Sequence, residues 1–268
     1  MTTAAPIEGS APTGGSVPAA LGSLAADRAT GALSTESGVF YLAAGHVVHV
    51  ESVYSPDLGD LLTRSGALPA DGWWEAVERA GARHRVGRQL VDSGRLTEGA
   101  LELCHTGALF DAAYFALAQD TAALRFRPEA AHWLGAVRPV PVHSVLRESR
   151  RRRDLLHRIW PDPTVDTAPL TRASGADPAD LPPRRGRTLA RVDGASTAAQ
   201  IASALACRTF HTLVELRRLA AAGLITPAPP PPPPPVATVP HGTGEAGSTW
   251  DEPDTALLRR LLDALEAL

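Results

Sequence analysis

The sequence contains no lysine and no asparagine, so all 26 of its basic residues are arginine. Folding physics forbids neither residue on a surface. Both need A-rich codons, and their joint absence reads as the codon usage of a GC-rich genome. Cysteine is scarce as well: Cys104 and Cys207 are the two present. They stand far apart in helical patterns and read as buried free thiols rather than a disulfide. No run of about 18 apolar residues occurs, which excludes a membrane-spanning helix. The first twenty residues lack the basic and apolar blocks of a secretory signal, so a cytoplasmic location is expected.

The motifs of common chemistry are missing too. There is no Gly-rich phosphate loop closed by Lys-Ser/Thr, no G-x-G-x-x-G and no G-x-S-x-G. His46, His49 and Glu51 have the composition of a metal set, but residues 46 and 49 of a strand point to opposite faces, so no metal is expected there. Cys104 and His105, neighbours on a helix, diverge by about 100° and read as a buried thiol beside a surface imidazole. The carboxylates are scattered, with no pair spaced for acid–base work. No catalytic residue, metal ligand or cofactor is assigned, no small-molecule substrate is expected, and the chain does not read as an enzyme.

What is present divides the chain. Residues 1–20 read as a disordered leader. Val39–Leu42 and Val47–Val53 are β-rich runs joined through Ala43-Ala44-Gly45, which is a hairpin signal. Alternation in the second run puts Val47, His49 and Glu51 on one face and Val48, Val50 and Ser52 on the other. Gly59–Leu68 (GDLLTRSGAL) then repeats as Gly87–Leu96 (GRQLVDSGRL). Each copy predicts a helix ended by a left-handed Gly with a Leu packing back, and Trp73-Trp74 should help pack the first. Leu101–Ala118 is an apolar-faced helix, Ala122–Arg127 a short strand, and Val142–Trp160 an amphipathic helix containing Arg150–Arg153. That four-arginine run reads as a solvated helix face before a nucleic-acid or membrane patch, since four consecutive residues span every face. Residues 161–183 read as a linker. In 184–226, three helical segments capped by Ser196 and Thr209 give a helix-turn-helix layout. Seven prolines from Pro229 open a disordered spacer over 227–253. Residues 254–268 (DTALLRRLLDALEAL) form a leucine-striped amphipathic helix. Net charge is uneven, −5 over residues 1–142, +6 over 143–226 and −4 beyond.

The segment TGALSTESGVFYLAAGHVVHVES, the SGAL and SGRL hairpins, ALFDAAYFALA, LRFRP and the Arg-rich helix together resemble the PATAN domain. The stretch RTLARVDGASTAAQIASALACRTFHTLVELRRLAAAGLI is similar to the winged-helix-like unit that often accompanies it. The resemblance covers roughly residues 24–226 and extends to actinobacterial proteins classed as transcriptional regulators. It implies an α+β fold, with a hairpin-and-helix domain over 21–160 and a winged-helix-like module over 184–226. It also implies a non-catalytic interaction module in signalling. One departure is that Pro227 and the proline run follow Ile225 directly. Proline supplies no ladder donor, so no ordinary wing hairpin is expected there.

Two functions follow. The first is a regulatory or adaptor protein that binds a protein partner, with Leu258, Leu261, Leu262 and Leu265 of the terminal helix as anchors. The second is sequence-specific DNA binding by residues 184–226, where Arg184, Arg185 and Arg187 would meet phosphates. Arg208, Thr209, His211 and Thr212 would then enter the major groove.

Overall fold

The structure, a computed structural model, describes residues 16–118 and 124–228. Its fold is α+β. Five antiparallel strands, β1 (Gly31–Ser34), β2 (Val39–Ala43), β3 (His46–Glu51), β4 (Arg125–Pro128) and β5 (Val140–Pro141), form a sheet in the order β4-β1-β2-β3-β5. The β2–β3 turn falls on Ala44 and Gly45, both at positive φ (47° and 80°), the twist-compatible hairpin geometry. Helix α1 (Val17–Ala26) precedes the sheet and buries Val17 and Leu21 in its core. Helix α1 therefore takes in residues 17–20 of the segment read as a disordered leader, because it has an apolar face to bury.

The repeated segment folds as the sequence predicts. Helix α2 (Leu58–Arg64) ends at Gly66 and α4 (Val86–Asp92) at Gly94, with φ of 74° and 70°. In each copy the following leucine returns, the N–H of Leu68 bonding to the Leu62 carbonyl and that of Leu96 to Leu90. Helix α3 (Ala70–Ala80) lies between them. Its Trp73 is buried against Gly59, whereas Trp74 is 63% exposed. Only one of the paired tryptophans packs the hairpin.

Helix α5 (Glu98–Ala116) runs through the interior. It contributes Leu101 to the cluster around α2–α4, Leu109, Ala112, Ala113 and Ala116 to the sheet core, and Tyr114 and Phe115 to a third cluster. Helix α6 (Val142–Ile159) packs beside it through Val142, Val145, Ser149, Arg152 and Leu156, a 3-4-3-4 spacing that keeps one face inward. That face sorts the arginine run: Arg152 is buried, Arg153 bonds to the Leu117 carbonyl, and Arg150 and Arg151 are exposed.

Residues 161–183, read as a linker, contain two 3₁₀ turns and β6 (Leu170–Arg172). Pro227 supplies no donor for a downstream hairpin, and the segment pairs elsewhere. Strand β7 (Ile225–Pro227) pairs antiparallel with β6 from upstream rather than with a downstream hairpin. Helices α7 (Pro183–Leu189), α8 (Ala198–Ala204) and α9 (Thr209–Ala221) form the expected trio. Two caps shift by one residue. Thr197, in a capping box with Gln200, starts α8 in place of Ser196, and Arg208 starts α9 in place of Thr209, which is buried in the first turn.

Two buried ion pairs tie α9 down. Arg217 binds Asp166 at 2.7 and 2.8 Å, and the Tyr114 hydroxyl donates to the same carboxylate at 2.6 Å. Asp111 of α5 accepts from Arg152 at 2.8 Å and from the Phe210 N–H at 3.1 Å. Removing one partner of a buried pair strands the other charge, which costs several kcal/mol. Asp111→Ala should lower the unfolding free energy in urea titration by about 3 kcal/mol; a loss within the range of a surface substitution would contradict the assignment.

Candidate functional site

A β-bulge decides which side chains of β3 stand together. Strand β2 pairs with it as Phe40↔Val50 and Tyr41↔His49, then Leu42↔Val47, so Val48 is the extra residue. Val47 therefore joins the core of Phe40, Leu42 and Val50, not the face of His49 and Glu51 that unbroken alternation assigns to it. The bulge also removes the parity argument separating His46 from His49. Position separates them instead, for His46 is exposed at the start of the strand with its ring on the Ala44 carbonyl.

His49 and Glu51 meet two more imidazoles. His105 comes from α5 and is fully buried, so the expected surface imidazole is interior while Cys104 beside it is half-buried. His132 comes from the loop before β5. The His49 and His105 rings meet at Nδ1···Nε2 3.2 Å, and His49 stacks on His132 with centroids 3.9 Å apart and planes inclined by 17°. His132 Nε2 lies 3.0 Å from Glu51 Oε1, and the Tyr41 hydroxyl donates to Glu51 Oε2 at 3.2 Å.

The hydrogen bonds fix the protons. The Leu134 N–H donates to His132 Nδ1 at 3.2 Å, so the ring proton sits on Nε2 and goes to Glu51. That bond, joined by the one from Tyr41, holds the Glu51 carboxyl below its usual range despite partial burial. Burial and the adjacent Glu51 charge push the Tyr41 phenol up to about 12. Burial, with His132 and His105 nearby, drives His49 well below the ordinary imidazole value. His105 is lowered to about 4, chiefly by burial and then by His132. Its Nδ1 has no well-formed hydrogen bond. At neutral pH both rings are uncharged, and a stack of neutral imidazoles is tolerated where a pair of cations would repel.

His49, Glu51 and His132 each bring one ligand-type atom within 4.8 Å of the others. A metal must lie in the plane of each ring that binds it. Planes 17° apart with centroids separated by 3.9 Å do not converge near the nitrogens. The Leu134 N–H also keeps the proton on His132 Nε2, the atom facing Glu51. As the side chains stand, the cluster is a hydrogen-bonded proton array.

Beside it opens a cleft of about 330 Å³. Val39, Val50, Val53, Pro56 and Leu58 supply its apolar wall, Ala108 and Ala112 of α5 bring two small residues to it, and His49 and Glu51 form its polar side.

The residues proposed for DNA contact are dispersed. Arg184 and Arg187 are exposed, and Arg185 is half-buried against Glu215 at 3.2 Å. Arg208 lies over Gly107 of α5, Thr209 and Thr212 are buried, and of the four groove residues His211 alone is exposed. Leu258, Leu261, Leu262 and Leu265 lie outside the described residues, as do the proline run and the spacer beyond Ala228; Pro227, read as the first spacer residue, instead closes β7. No helix among the described residues is long and apolar enough to cross a membrane. His105 and His132 are the site residues that local spacing does not reveal; His49 and Glu51 were already a same-face pair.

Comparison with protein-family models, curated proteins and solved structures finds no match.

The buried imidazoles set an acid limit on stability. Their folded values lie below the unfolded 6.5, so their contribution is complete above pH 6.5 and is lost as pH falls below it, for His105 towards about 4, because the unfolded chain binds protons that the folded one refuses. His105 alone should contribute a slope of up to about 1.4 kcal/mol per pH unit in that window. Urea midpoints of wild type should therefore drop between pH 7 and 4.5, and His105→Gln should flatten the drop. Equal slopes in the two proteins would contradict it.

Proposed function

We propose that the chain is a non-catalytic regulatory or adaptor protein that holds an acidic protein partner along the outer face of α6. The observation that carries this reading is a row of exposed arginines. Arg147, Arg150, Arg151 and Arg158 project opposite the buried face of α6, with His143 at the start of the row. Arg147, Arg150 and Arg158 have no carboxylate within ion-pair distance among the described residues, and Arg151 shares Glu148 with Arg152. A rigid helix anchored along its other side presents these charges at little conformational cost. The row encloses Leu146, which is half-buried, and Asp154, which is exposed. A carboxylate within the row repels a phosphate backbone but suits a protein partner carrying mixed charges.

The DNA reading finds less support. A recognition helix enters the groove by its first turn. The first turn of α9 is bonded to Asp111, and the Arg152 guanidinium lies 4.4 Å over the Phe210 ring. The resemblance of residues 24–226 to PATAN and winged-helix-like modules implies the same kind of role, an interaction module in signalling or transcriptional control.

Fluorescence anisotropy with a labelled polyglutamate peptide and a labelled short duplex separates the readings. The peptide should bind in a salt-sensitive manner. The double reversal R147E/R150E should weaken it at least about tenfold with an unchanged melting temperature, since both residues are exposed. Tighter binding of the duplex, with a steep salt slope, would replace the protein partner by DNA.

A further inference from the structure

We propose that the cleft beside the histidine cluster is a binding site for a small primary amine with an apolar body. The proposal stands on the cleft and is independent of the α6 reading. Known small-molecule sites are concave, mostly apolar, and oriented by a few polar groups, and this cleft has that make-up. Its volume of about 330 Å³ is at the small end of the range for such sites, which suits a body the size of a benzene ring with a short side chain.

The polar groups choose the head. Two carboxylates, Glu51 and Asp57, line the cleft, and no arginine does. An anionic ligand would be repelled without compensation, whereas an ammonium is attracted. Glu51 is fixed in place by His132 and Tyr41, each bound to a different oxygen. Each oxygen keeps a further lone pair for a ligand donor, and the side chain is 42% exposed. His49 adds an acceptor. It is 5% exposed, its Nδ1 faces His105, and its Nε2 makes no hydrogen bond among the described residues. With a proton on Nδ1 shared towards His105, Nε2 offers a lone pair. An imidazole acceptor next to a preorganised carboxylate, above an apolar floor of Ala108 and Ala112, matches a donor-rich head on an apolar body. The amine makes three N–H donations available and needs no proton transfer.

The test uses the full chain and three probes sharing one body: phenylethylamine, 2-phenylethanol and phenylacetate. Saturation-transfer NMR and calorimetry should detect the amine with a Kd near a millimolar, as fits so few atoms, the alcohol more weakly, and the carboxylate not at all. Glu51→Gln should weaken the amine about tenfold and leave the alcohol unchanged. Ala108→Leu should remove both by filling the cleft; should that variant fail to fold, displacement of the amine by the alcohol on wild type shows the shared site. Phenylacetate binding as tightly as the amine, equal amine affinity in Glu51→Gln, or no amine binding would each overturn the proposal.

Discussion

The carboxylate of Asp111 sits in the middle of a helix that is buried on nearly every side, and such a charge persists only if it is paired and hydrogen-bonded. Its partners come from two other helices, Arg152 of α6 and the Phe210 N–H of α9. That requirement fixes much else. With Arg152 turned inward, the helical period places Arg147, Arg150 and Arg158 outward. With Phe210 held at α5, the first turn of α9 is joined to α5 and buries Thr209 and Thr212. The same rule operates at the other end of α9, where Asp166 is satisfied by Arg217 and Tyr114 together. Two buried acids thus make the helical trio α7–α9 part of a shared core with α5 and α6.

The histidine cluster answers to a different constraint. One extra residue in β3, Val48, re-aims the strand so that aliphatic side chains fill the sheet core from one side. The imidazole and carboxylate of His49 and Glu51 turn to the other. There α5 supplies His105 and the loop before β5 supplies His132. A single backbone hydrogen bond, from Leu134 to His132 Nδ1, then propagates through the tautomer of His132 to the ionisation of Glu51 and the phenol of Tyr41. The cleft inherits a fixed anion and an unpartnered imidazole nitrogen from this chain of bonds.

Much of the fold was legible because it rests on local rules. The hairpin followed from Ala44-Gly45, the repeated helix ends from Gly66 and Gly94, and Val145 and Leu156 of the α6 seam from their apolar spacing, whereas Ser149 and Arg152 of that seam did not. Residue Val17, by contrast, gave no local sign that α1 would be ordered, since its stability comes from the sheet it covers. Strand β6 was hidden for the same reason, its partner β7 lying more than fifty residues away. The candidate site was half legible. His49 and Glu51 shared a face in the sequence reading, but the bulge that sends Val47 elsewhere carries no glycine or proline to announce it. His105 looked like a surface neighbour of Cys104 because a helix buried on all sides has no face for periodicity to reveal. The inward and outward arginines of Arg150–Arg153 could be separated only once α5 supplied Asp111.

The first turn of α9 is fastened to the interior through the Phe210 N–H and Asp111, with Thr209 and Thr212 buried beside it. Native-state hydrogen exchange of the Phe210 amide tests it most directly. The Phe210 amide should be protected close to the level of the core amides of α5, opening only with global unfolding. Exchange of Phe210 at the rate of a frayed or solvent-facing helix start would show a free α9 terminus and no lasting bond to Asp111.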